Sequence, residues 1–265
     1  MTSGTPDLRA LVTGASSGIG AAFARALKAR GERLILVARR ADRLHSLAQE
    51  LGGEGEATVL PFDLGQAGSG PRLEAAVRER GLAVDLLVNN AGFGDSGHFA
   101  REDPARLVGM VDLNARAVVE LTRAFVPGMI ERRRGRIVNV ASTAAFQPCP
   151  FLAVYAASKA FVLAFTEALH EELAGTGVRV QALCPGLTET EFQQVARTDH
   201  VPFNKTPAMK AEDVVAWSLA GLDRGKLRVI AGWQNRLTVA AQRLVPQAVV
   251  RKIAGRMLRP PHSPA

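Results

Sequence analysis

The 265-residue sequence is poor in the residues that build disulfide frameworks, metal centres and membrane spans. Its two cysteines, Cys149 and Cys184, are too few for a disulfide framework and lack metal-ligand spacing, so we predict no metal site and a reducing compartment. No apolar run approaches the ~18 residues of a membrane-spanning helix, and no basic segment followed by an apolar one opens the chain. We therefore expect a soluble cytoplasmic protein without a secretory signal.

Acidic residues are absent from the C-terminal end of the chain. The net charge is +8, and the nine basic residues from Arg224 onward, with no acidic residue among them, account for the excess. Such a local excess argues against a basic nucleic-acid-binding domain. Residues 234–265 combine six of these cations with two apolar helical stripes, which include Leu237 and Ile253. This basic amphipathic tail either contacts an anionic membrane surface or packs on the body or on a second subunit.

Short apolar runs alternate with helical patterns along the first 185 residues. We predict strands at 8–13, 33–38, 57–62, 86–89, 136–141 and 179–184, and helices at 18–30, 41–51, 70–80, 104–131 and 153–174. The strand runs are apolar throughout, as in strands buried on both faces. The pattern predicts an α/β fold, a single-domain doubly wound parallel sheet of about seven strands with helices on both faces. We assign residues 1–233 to this domain, with a substrate loop at 187–210.

A glycine-rich turn with the sequence TGASSGIG follows the first predicted strand and opens the first predicted helix. Gly14 permits a tight turn, Gly18 lets the backbone approach a pyrophosphate, and Gly20 lets the helix pack against the strand. The free N–H groups of the helix N-terminus attract the same anion. The spacing and its position therefore predict a dinucleotide-binding loop rather than a plain β–α turn.

The second predicted strand ends in Ala38-Arg39-Arg40. An NAD site would place a carboxylate here to accept from the ribose 2′-hydroxyl. A guanidinium instead binds a phosphate through parallel hydrogen bonds. Arg39 and Arg40 therefore predict NADP(H) as the coenzyme, and the alternative is that both are solvated residues at a helix entry.

Polar residues with catalytic potential follow in chain order. Asn114 lies in the predicted helix 104–131, Ser142 follows the fifth strand, and Tyr155 and Lys159 share one face of the next helix. Tyr155 is the only tyrosine of the chain, and Lys159 is one of six lysines beside 27 arginines. In open α/β folds, ligands bind at the carboxyl edge of the sheet, where these residues are expected.

In this order the motifs resemble the short-chain dehydrogenase/reductase family, in its compact single-domain branch. The resemblance covers roughly residues 8–190 and comprises TGASSGIG at 13–20, Asp63-Leu64, NNAG at 89–92, Asn114, Ser142, YAASK at 155–159 and Pro185-Gly186. It implies an NADP(H)-dependent oxidoreductase that reduces a ketone or aldehyde to an alcohol, or catalyses the reverse, with Tyr155 as acid and base. We also expect a homodimer or homotetramer.

The resemblance implies a role for each matched residue. Ser142 binds the substrate oxygen, Lys159 holds the nicotinamide ribose, and Asn114 holds a proton-relay water. A phenol with its ordinary pKa of ~10 is a poor acid–base group at neutral pH, so we expect Lys159 and the positive nicotinamide to lower it. The expected coenzyme contacts are Gly14, Ser16, Ser17, Gly18, Ile19, Gly20, Arg39, Arg40, Asp63, Leu64, Asn90, Ala91, Gly92, Tyr155, Lys159, Pro185, Gly186, Thr188 and Thr190.

The substrate loop and its neighbours supply an apolar, aromatic lining, which favours a lipophilic carbonyl substrate. The lining candidates are Phe93, Phe146, Phe151, Phe192, Val195 and Phe203, and Lys205 is the candidate partner for a substrate carboxylate. Cys149 faces the substrate in one reading and is an incidental buried thiol in the other. The alternatives for the whole protein are an isomerase or dehydratase, and a coenzyme-binding regulatory or interaction protein without turnover.

Overall fold

The computed structural model describes residues 8–53, 55–198, 208–242 and 244–260. Its strands form one parallel sheet of seven in the order β3-β2-β1-β4-β5-β6-β7. They span Arg9–Thr13 (β1), Arg33–Ala38 (β2), Ala57–Pro61 (β3), Leu86–Asn89 (β4), Gly135–Val140 (β5), Val178–Cys184 (β6) and Arg228–Ile230 (β7). The doubly wound parallel fold is thus confirmed, and the six located strands lie within one residue of their predicted bounds.

The helices cover both faces of this sheet. They span Gly18–Ala29 (α1), Ala41–Glu50 (α2), Ser69–Arg78 (α3), Pro104–Val111 (α4), Ala117–Glu131 (α5), Ala153–Glu172 (α6), Phe192–Val195 (α7), Ala211–Asp223 (α8), Trp233–Gln242 (α9) and Gln247–Met257 (α10). Helices α1, α2 and α8 bury their apolar residues against one face, and α3 and α5 pack against the other.

Successive strand residues point to opposite faces of the sheet, and here both faces are apolar. In β1, Val12 belongs to the core under α1 and α8, whereas Leu11 belongs to the core under α3 and α5. In β2, Leu36 and Val37 divide in the same way. This double burial explains why the strands read as nearly continuous apolar runs.

The predicted helix over 104–131 is helical from Pro104 to Glu131, but it is not a regular α-helix throughout. A π-helical turn, Asp112–Arg116, separates α4 from α5. Asn114 is fully buried at the centre of this turn, and its amide group bonds the backbone of Phe93 on a neighbouring segment. The wide turn draws this side chain inward, which a regular helix with its narrower spacing would not do.

The strand order reverses between β1 and β4, and β4 is the central strand of the sheet. At such a reversal the loops leaving the carboxyl ends diverge and open a crevice for ligands. Helices α9 and α10 follow β7 at one end of the sheet and remain largely exposed, with Val239, Ala254 and Leu258 as their buried residues. No described helix is both long and apolar enough to cross a membrane.

Candidate active site

The glycine-rich loop between β1 and α1 is shaped by close backbone contacts. Gly14 and Gly18 have φ values of 65° and 53°, which favour glycine. A Cβ atom at Gly14 would lie 2.8 Å from Nδ2 of Asn90, and one at Gly18 would lie 2.9 Å from Cγ2 of Thr190. Larger residues would therefore fill the space along the loop. A pyrophosphate site requires that space, because the phosphates must approach the backbone closely.

Asn90 and Thr13 brace this loop against the neighbouring strand. The Asn90 Nδ2 amide donates to the Thr13 carbonyl at 2.9 Å, and Thr13 Oγ1 accepts from the backbone N–H groups of Asn90 and Ala91. The hydroxyl in turn donates to the carbonyl of Val88. The predicted contact residues Asn90 and Ala91 thus lie beside the loop, and Asn90 also fixes its position.

The N-terminus of α1 has no side-chain cap and no acidic residue to offset the positive end of the helix dipole. Ser17 precedes the helix without a side-chain capping bond, and the first turn contains no acidic residue. The free N–H groups and the helix dipole favour a phosphate there. Together with the narrow glycine cradle, this donor set fits the diphosphate of a nicotinamide coenzyme.

The two arginines after β2 have different surroundings. Arg40 donates to the Ser16 and Ser17 hydroxyls at 3.0 and 2.8 Å and to the Glu191 carboxylate at 2.9 Å. Arg39 is exposed and forms no hydrogen bond or ion pair with any residue that the structure describes. Arg39 therefore offers a free guanidinium beside the loop, whereas Arg40 ties the loop to the segment that carries Glu191.

Asp63 and Leu64 follow β3 at the same edge of the sheet. The exposed Asp63 carboxylate accepts from the Gly65 N–H at 2.9 Å, whereas Leu64 is buried in the core under α3 and α5. The Asp63 side chain is thus accessible to a ligand, while Leu64 can offer only its backbone.

The predicted catalytic side chains converge at the carboxyl ends of β4 and β5. Lys159 is buried, and its Nζ donates to the Val140 carbonyl at 2.8 Å and lies 5.9 Å from the centre of the Tyr155 ring. Ser142, also buried, caps a short 3₁₀ turn by accepting from the Ala144 N–H. The Ser142 hydroxyl also interacts with the phenol of Tyr155. A serine, a phenol and an ammonium thus form one contiguous polar group.

In the protein without coenzyme, burial is the largest influence on the pKa values of Tyr155 and Lys159. It raises the pKa of Tyr155 to about 12, although the hydrogen bond with Ser142 acts in the opposite direction. Burial also lowers the pKa of Lys159 to about 8. The expectation that Lys159 lowers the pKa of Tyr155 is therefore not met within the chain itself, because the cost of burying a phenolate exceeds the lowering by the Ser142 hydrogen bond.

Asn114 reaches the same group from the π-helical turn. Its Nδ2 donates to the Phe93 carbonyl at 2.9 Å and to the Ser158 hydroxyl at 3.1 Å, and Ser158 donates to the Tyr155 carbonyl. A Cβ atom on Gly92 would lie 2.7 Å from the Asn114 Oδ1 and 3.5 Å from the Lys159 Nζ. The absence of a side chain at Gly92 thus leaves the space that the Asn114 and Lys159 side chains occupy.

The segment 187–198 crosses the front of the cleft. Its backbone pairs with Met209, and Phe192 on α7 lies 5.3 Å from the Tyr155 ring, tilted by 50°. Thr188 and Thr190 bond within this segment, and Thr190 touches the glycine loop at Gly18. A Cβ atom on Gly186 would lie 2.5 Å from the amide of Asn235 on α9. The four predicted contacts Pro185, Gly186, Thr188 and Thr190 are therefore distributed along one wall of the cleft.

Ion pairs hold this segment at both ends. Near the glycine loop, Glu191 pairs with Arg40 and Arg43, and all three side chains are more than 40% exposed. At the other end, the fully buried Asp95 carboxylate accepts from Arg106 at 2.7 Å and Arg197 at 2.8 Å. The sequence analysis missed Glu191, Arg43, Asp95 and Arg197 as contributors, because no local pattern marks ion pairs between distant segments.

A cavity of about 200 Å³ opens next to the residue before Tyr155. Its apolar lining comes from Phe99, Leu107, Phe151 and Val154, and the carboxylates of Asp95 and Glu102 lie at its side. The pKa of Glu102 is raised by burial and by the neighbouring Asp95. The cavity therefore combines an apolar surface with negative charge.

The predicted aromatic lining is brought together only in part. Phe151 lines the cavity and Phe192 contacts Tyr155, whereas Phe93 lies under Arg106 and Phe146 packs beside Arg228 in a separate apolar cluster. Phe203 and Lys205 lie outside the described residues. Cys149 is buried, and burial raises its pKa to about 11, so the incidental reading fits better. The described residues contain no group of three or more His, Cys, Asp and Glu side chains that could hold a metal ion.

Comparison with known proteins agrees with this geometry. Residues 9–201 match the family described as short chain dehydrogenase. The chain belongs to this family. As a short-chain dehydrogenase it is an oxidoreductase that acts on CH–OH groups with a nicotinamide coenzyme, and the fit of the glycine cradle to a diphosphate agrees with that chemistry.

This short-chain dehydrogenase has relatives of several kinds. It is 42% identical to the "Monensin polyketide synthase putative ketoacyl reductase" of Streptomyces virginiae over 191 residues, which are 71% of this chain and 73% of that protein. A short-chain dehydrogenase from Sphingobium yanoikuyae, solved in complex with NADPH, is 34% identical with a TM-score of 0.78, and the match covers 91% and 97% of the two chains. The "bulky-bulky ketone specific alcohol dehydrogenase" from Comamonas testosteroni is also 34% identical, with a TM-score of 0.75 and coverage of 92% and 97%.

Proposed function

We propose that this short-chain dehydrogenase is an NADP(H)-dependent carbonyl reductase that converts a lipophilic ketone or aldehyde to an alcohol, or catalyses the reverse. The observation that carries the proposal is the contiguous group of Ser142, Tyr155 and Lys159 at the sheet edge where the glycine-rich loop opens. Asn114 completes the group. These four are the proposed catalytic residues, and residues 1–233 are the proposed catalytic domain.

In this mechanism the Ser142 hydroxyl donates to the substrate oxygen and orients it towards the Tyr155 phenol. When bound, the coenzyme supplies or accepts the hydride and, in its oxidised form, adds a positive charge beside Tyr155. The phenol gives its proton to the developing alkoxide in reduction and takes a proton from the alcohol in oxidation. Lys159 stabilises the phenolate that remains and holds the ribose, while Asn114 keeps the Phe93 backbone and the Ser158 hydroxyl in place.

The preference for NADP(H) is supported by charge at the end of β2. Arg39 presents a free guanidinium, and the end of β2 lacks the carboxylate that a ribose 2′-hydroxyl would use. The Ser16 and Ser17 hydroxyls of the glycine-rich loop accept hydrogen bonds from the next residue, Arg40. The NADPH complex of the Sphingobium relative supports the same assignment.

The lipophilic substrate class is supported by the cavity beside the catalytic group. Five apolar side chains line it, since Ala153 adds to the four named above, and the nearby arginines Arg106 and Arg197 are already paired with Asp95. No lysine or arginine is among the described residues that line the cavity, so a neutral carbonyl compound fits better than a carboxylate-bearing one. The names of two relatives, the bulky-ketone alcohol dehydrogenase and the ketoacyl reductase, support the same substrate class.

The test is an assay with NADPH and a panel of neutral aryl, alicyclic and long-chain ketones and aldehydes, in which loss of reduced-nicotinamide absorbance reports turnover. Tyr155→Phe is expected to lower kcat by about 10³-fold, since it removes the proton donor and little volume. Unchanged NADPH binding, followed by fluorescence, is the control for folding. Full activity of Tyr155→Phe would refute the mechanism, and NADPH binding without turnover on any carbonyl would favour the coenzyme-binding protein.

Two further expectations remain part of the proposal. A homodimer or homotetramer is tested by light scattering coupled to size-exclusion chromatography. A cytoplasmic location is tested by fractionation of cells that express the full chain.

A further inference from the structure

Helix α10 has two different faces. Ala254 and Leu258 point inward and belong to an apolar cluster with Leu152 and Ala156 of the catalytic region, which Tyr155 also contacts. On the outer face Val249, Ile253 and Met257, spaced by one helical turn, are 45%, 52% and 50% exposed. The helix therefore buries one apolar stripe against the body and presents a second to its surroundings.

Cations flank this outer stripe. Lys252 and Arg256 lie three residues after Val249 and Ile253, so each adjoins the stripe on the helix surface. Both are exposed, and neither forms an ion pair within the part of the chain that the structure describes. Because no acidic residue follows Asp223, nothing in the tail offsets their charge.

Helix α9 and the turn after it carry further exposed apolar side chains. Trp233 and Leu237 are 64% and 61% exposed, and Leu244 is 88% exposed. We call these residues and the outer stripe of α10 the tail surface. A tryptophan beside aliphatic residues and cations is typical of helices that lie in the interfacial layer of a membrane.

Charge decides among the possible occupants of the tail surface. A symmetric contact with a second copy would place the same cations opposite each other without a single acidic residue from either tail. Residues 1–223 contain 24 basic and 25 acidic residues and so offer no matching excess of negative charge. An acidic soluble protein would pair with the cations but leave the apolar stripe in water. An anionic bilayer provides phosphates for the cations and an acyl layer for the apolar stripe.

We propose that the tail surface docks on an anionic lipid surface, with Ile253 and its neighbours inserted below the lipid phosphates. Since the inner face of α10 belongs to the same cluster as Tyr155, docking would bring the lipid within about one helix diameter, ~10 Å, of the catalytic region. If the proposed function holds, a lipophilic carbonyl can enter the cleft from the membrane. The docking itself does not depend on the enzymatic reaction, and binding is measured without it.

The experiment measures flotation of the full chain with vesicles of phosphatidylcholine and of phosphatidylcholine with 30% phosphatidylglycerol, at physiological salt. We expect binding to the anionic vesicles only. Lys252→Gln with Arg256→Gln should weaken it about thirtyfold, since each cation contributes about fivefold. Ile253→Asn should weaken it about tenfold, because an aliphatic side chain leaves the acyl layer. Ile130→Asn at the exposed end of α5 is the matched control and should bind like the wild type.

Three results would overturn the proposal. The first is a wild-type protein that does not float with anionic vesicles. The second is Ile253→Asn that floats like Ile130→Asn but has a smaller mass by light scattering, which would assign the surface to a second copy. The third is equally strong binding to soluble poly-glutamate that Ile253→Asn does not weaken, which would indicate an acidic protein. A wild-type protein that floats with anionic vesicles but reduces no carbonyl compound would contradict the proposed function and leave the docking proposal intact.

Discussion

The two walls of the cleft hold their polar groups in contrasting ways. On the catalytic wall, Asn114, Ser142 and Lys159 are buried and bond to backbone groups. On the coenzyme wall, Arg39 is solvated and the Arg40–Glu191–Arg43 pairs are more than 40% exposed. Buried groups act through fixed position and through the free energy of burial, whereas exposed groups act through charge that salt can screen.

The largest expected difference is in the free energy of unfolding, between variants of the two carboxylates that hold the segment 187–198. Asp95→Ala should lower the free energy of unfolding by about 3 kcal/mol, because it removes the buried partner of Arg106 and Arg197. Glu191→Ala should lower it by less than about 1 kcal/mol, since its partners are solvated. Urea unfolding followed by circular dichroism measures both. Equal losses would contradict the contrast between the two walls.

The next effect concerns the free guanidinium of the coenzyme wall. Arg39→Ala should weaken NADPH binding about thirtyfold and leave NADH binding within about twofold, because charge-assisted bonds to the 2′-phosphate are lost. Isothermal titration calorimetry with both coenzymes measures the change. Arg30→Ala, which removes an exposed arginine paired with Asp223, is the control. Equal losses for NADPH and NADH would remove the assignment of Arg39 to the phosphate.

Lys159 provides a test of burial on the catalytic wall. Its pKa is about 8 in the folded protein against 10.5 ordinarily, so the folded state binds fewer protons between these values. This penalty on stability is full below about pH 8 and disappears above about pH 10.5. Lys159→Met should therefore raise the free energy of unfolding by about 2 kcal/mol at pH 7 after the lost hydrogen bond to Val140 is subtracted, while activity falls.

The gain from Lys159→Met should shrink as the pH rises towards 10.5. Unfolding in urea at pH 7 and at pH 10 measures it, with Lys226→Met at an exposed position as the control. A stability difference that does not change with pH would show that Lys159 is not penalised by burial.

The smallest expected effect is that of Glu191 on coenzyme affinity. Glu191→Gln frees two guanidiniums beside the glycine loop, so NADPH should bind about threefold more tightly at low salt. The gain should vanish in about 0.5 M salt, where exposed charges are screened, and NADH should not respond. Glu74→Gln, which removes another exposed ion pair far from the loop, should change nothing. Weaker NADPH binding by Glu191→Gln would instead assign Glu191 a supporting role in the site.

Local patterns predicted the sheet well and long-range contacts poorly. Double burial makes each strand apolar along its length, so the six located strands were found within one residue, but the three-residue β7 is too short to give such a signal. The glycine loop and the Tyr155–Lys159 pair were visible because their spacing is local. The π-helical turn at Asp112–Arg116 was not, since no local pattern marks the bond between Asn114 and the distant Phe93 backbone.

Sequence alone determined the parallel α/β fold, the family and the identity of the polar groups at the sheet edge, because these follow from periodicity and from motifs within single turns. Tertiary structure decided how the two arginines after β2 differ, which aromatic residue contacts Tyr155, and which face of α10 stays exposed. Each of these depends on a partner from a distant segment, such as Glu191 for Arg40, and a contact of that kind exists only once the chain has folded.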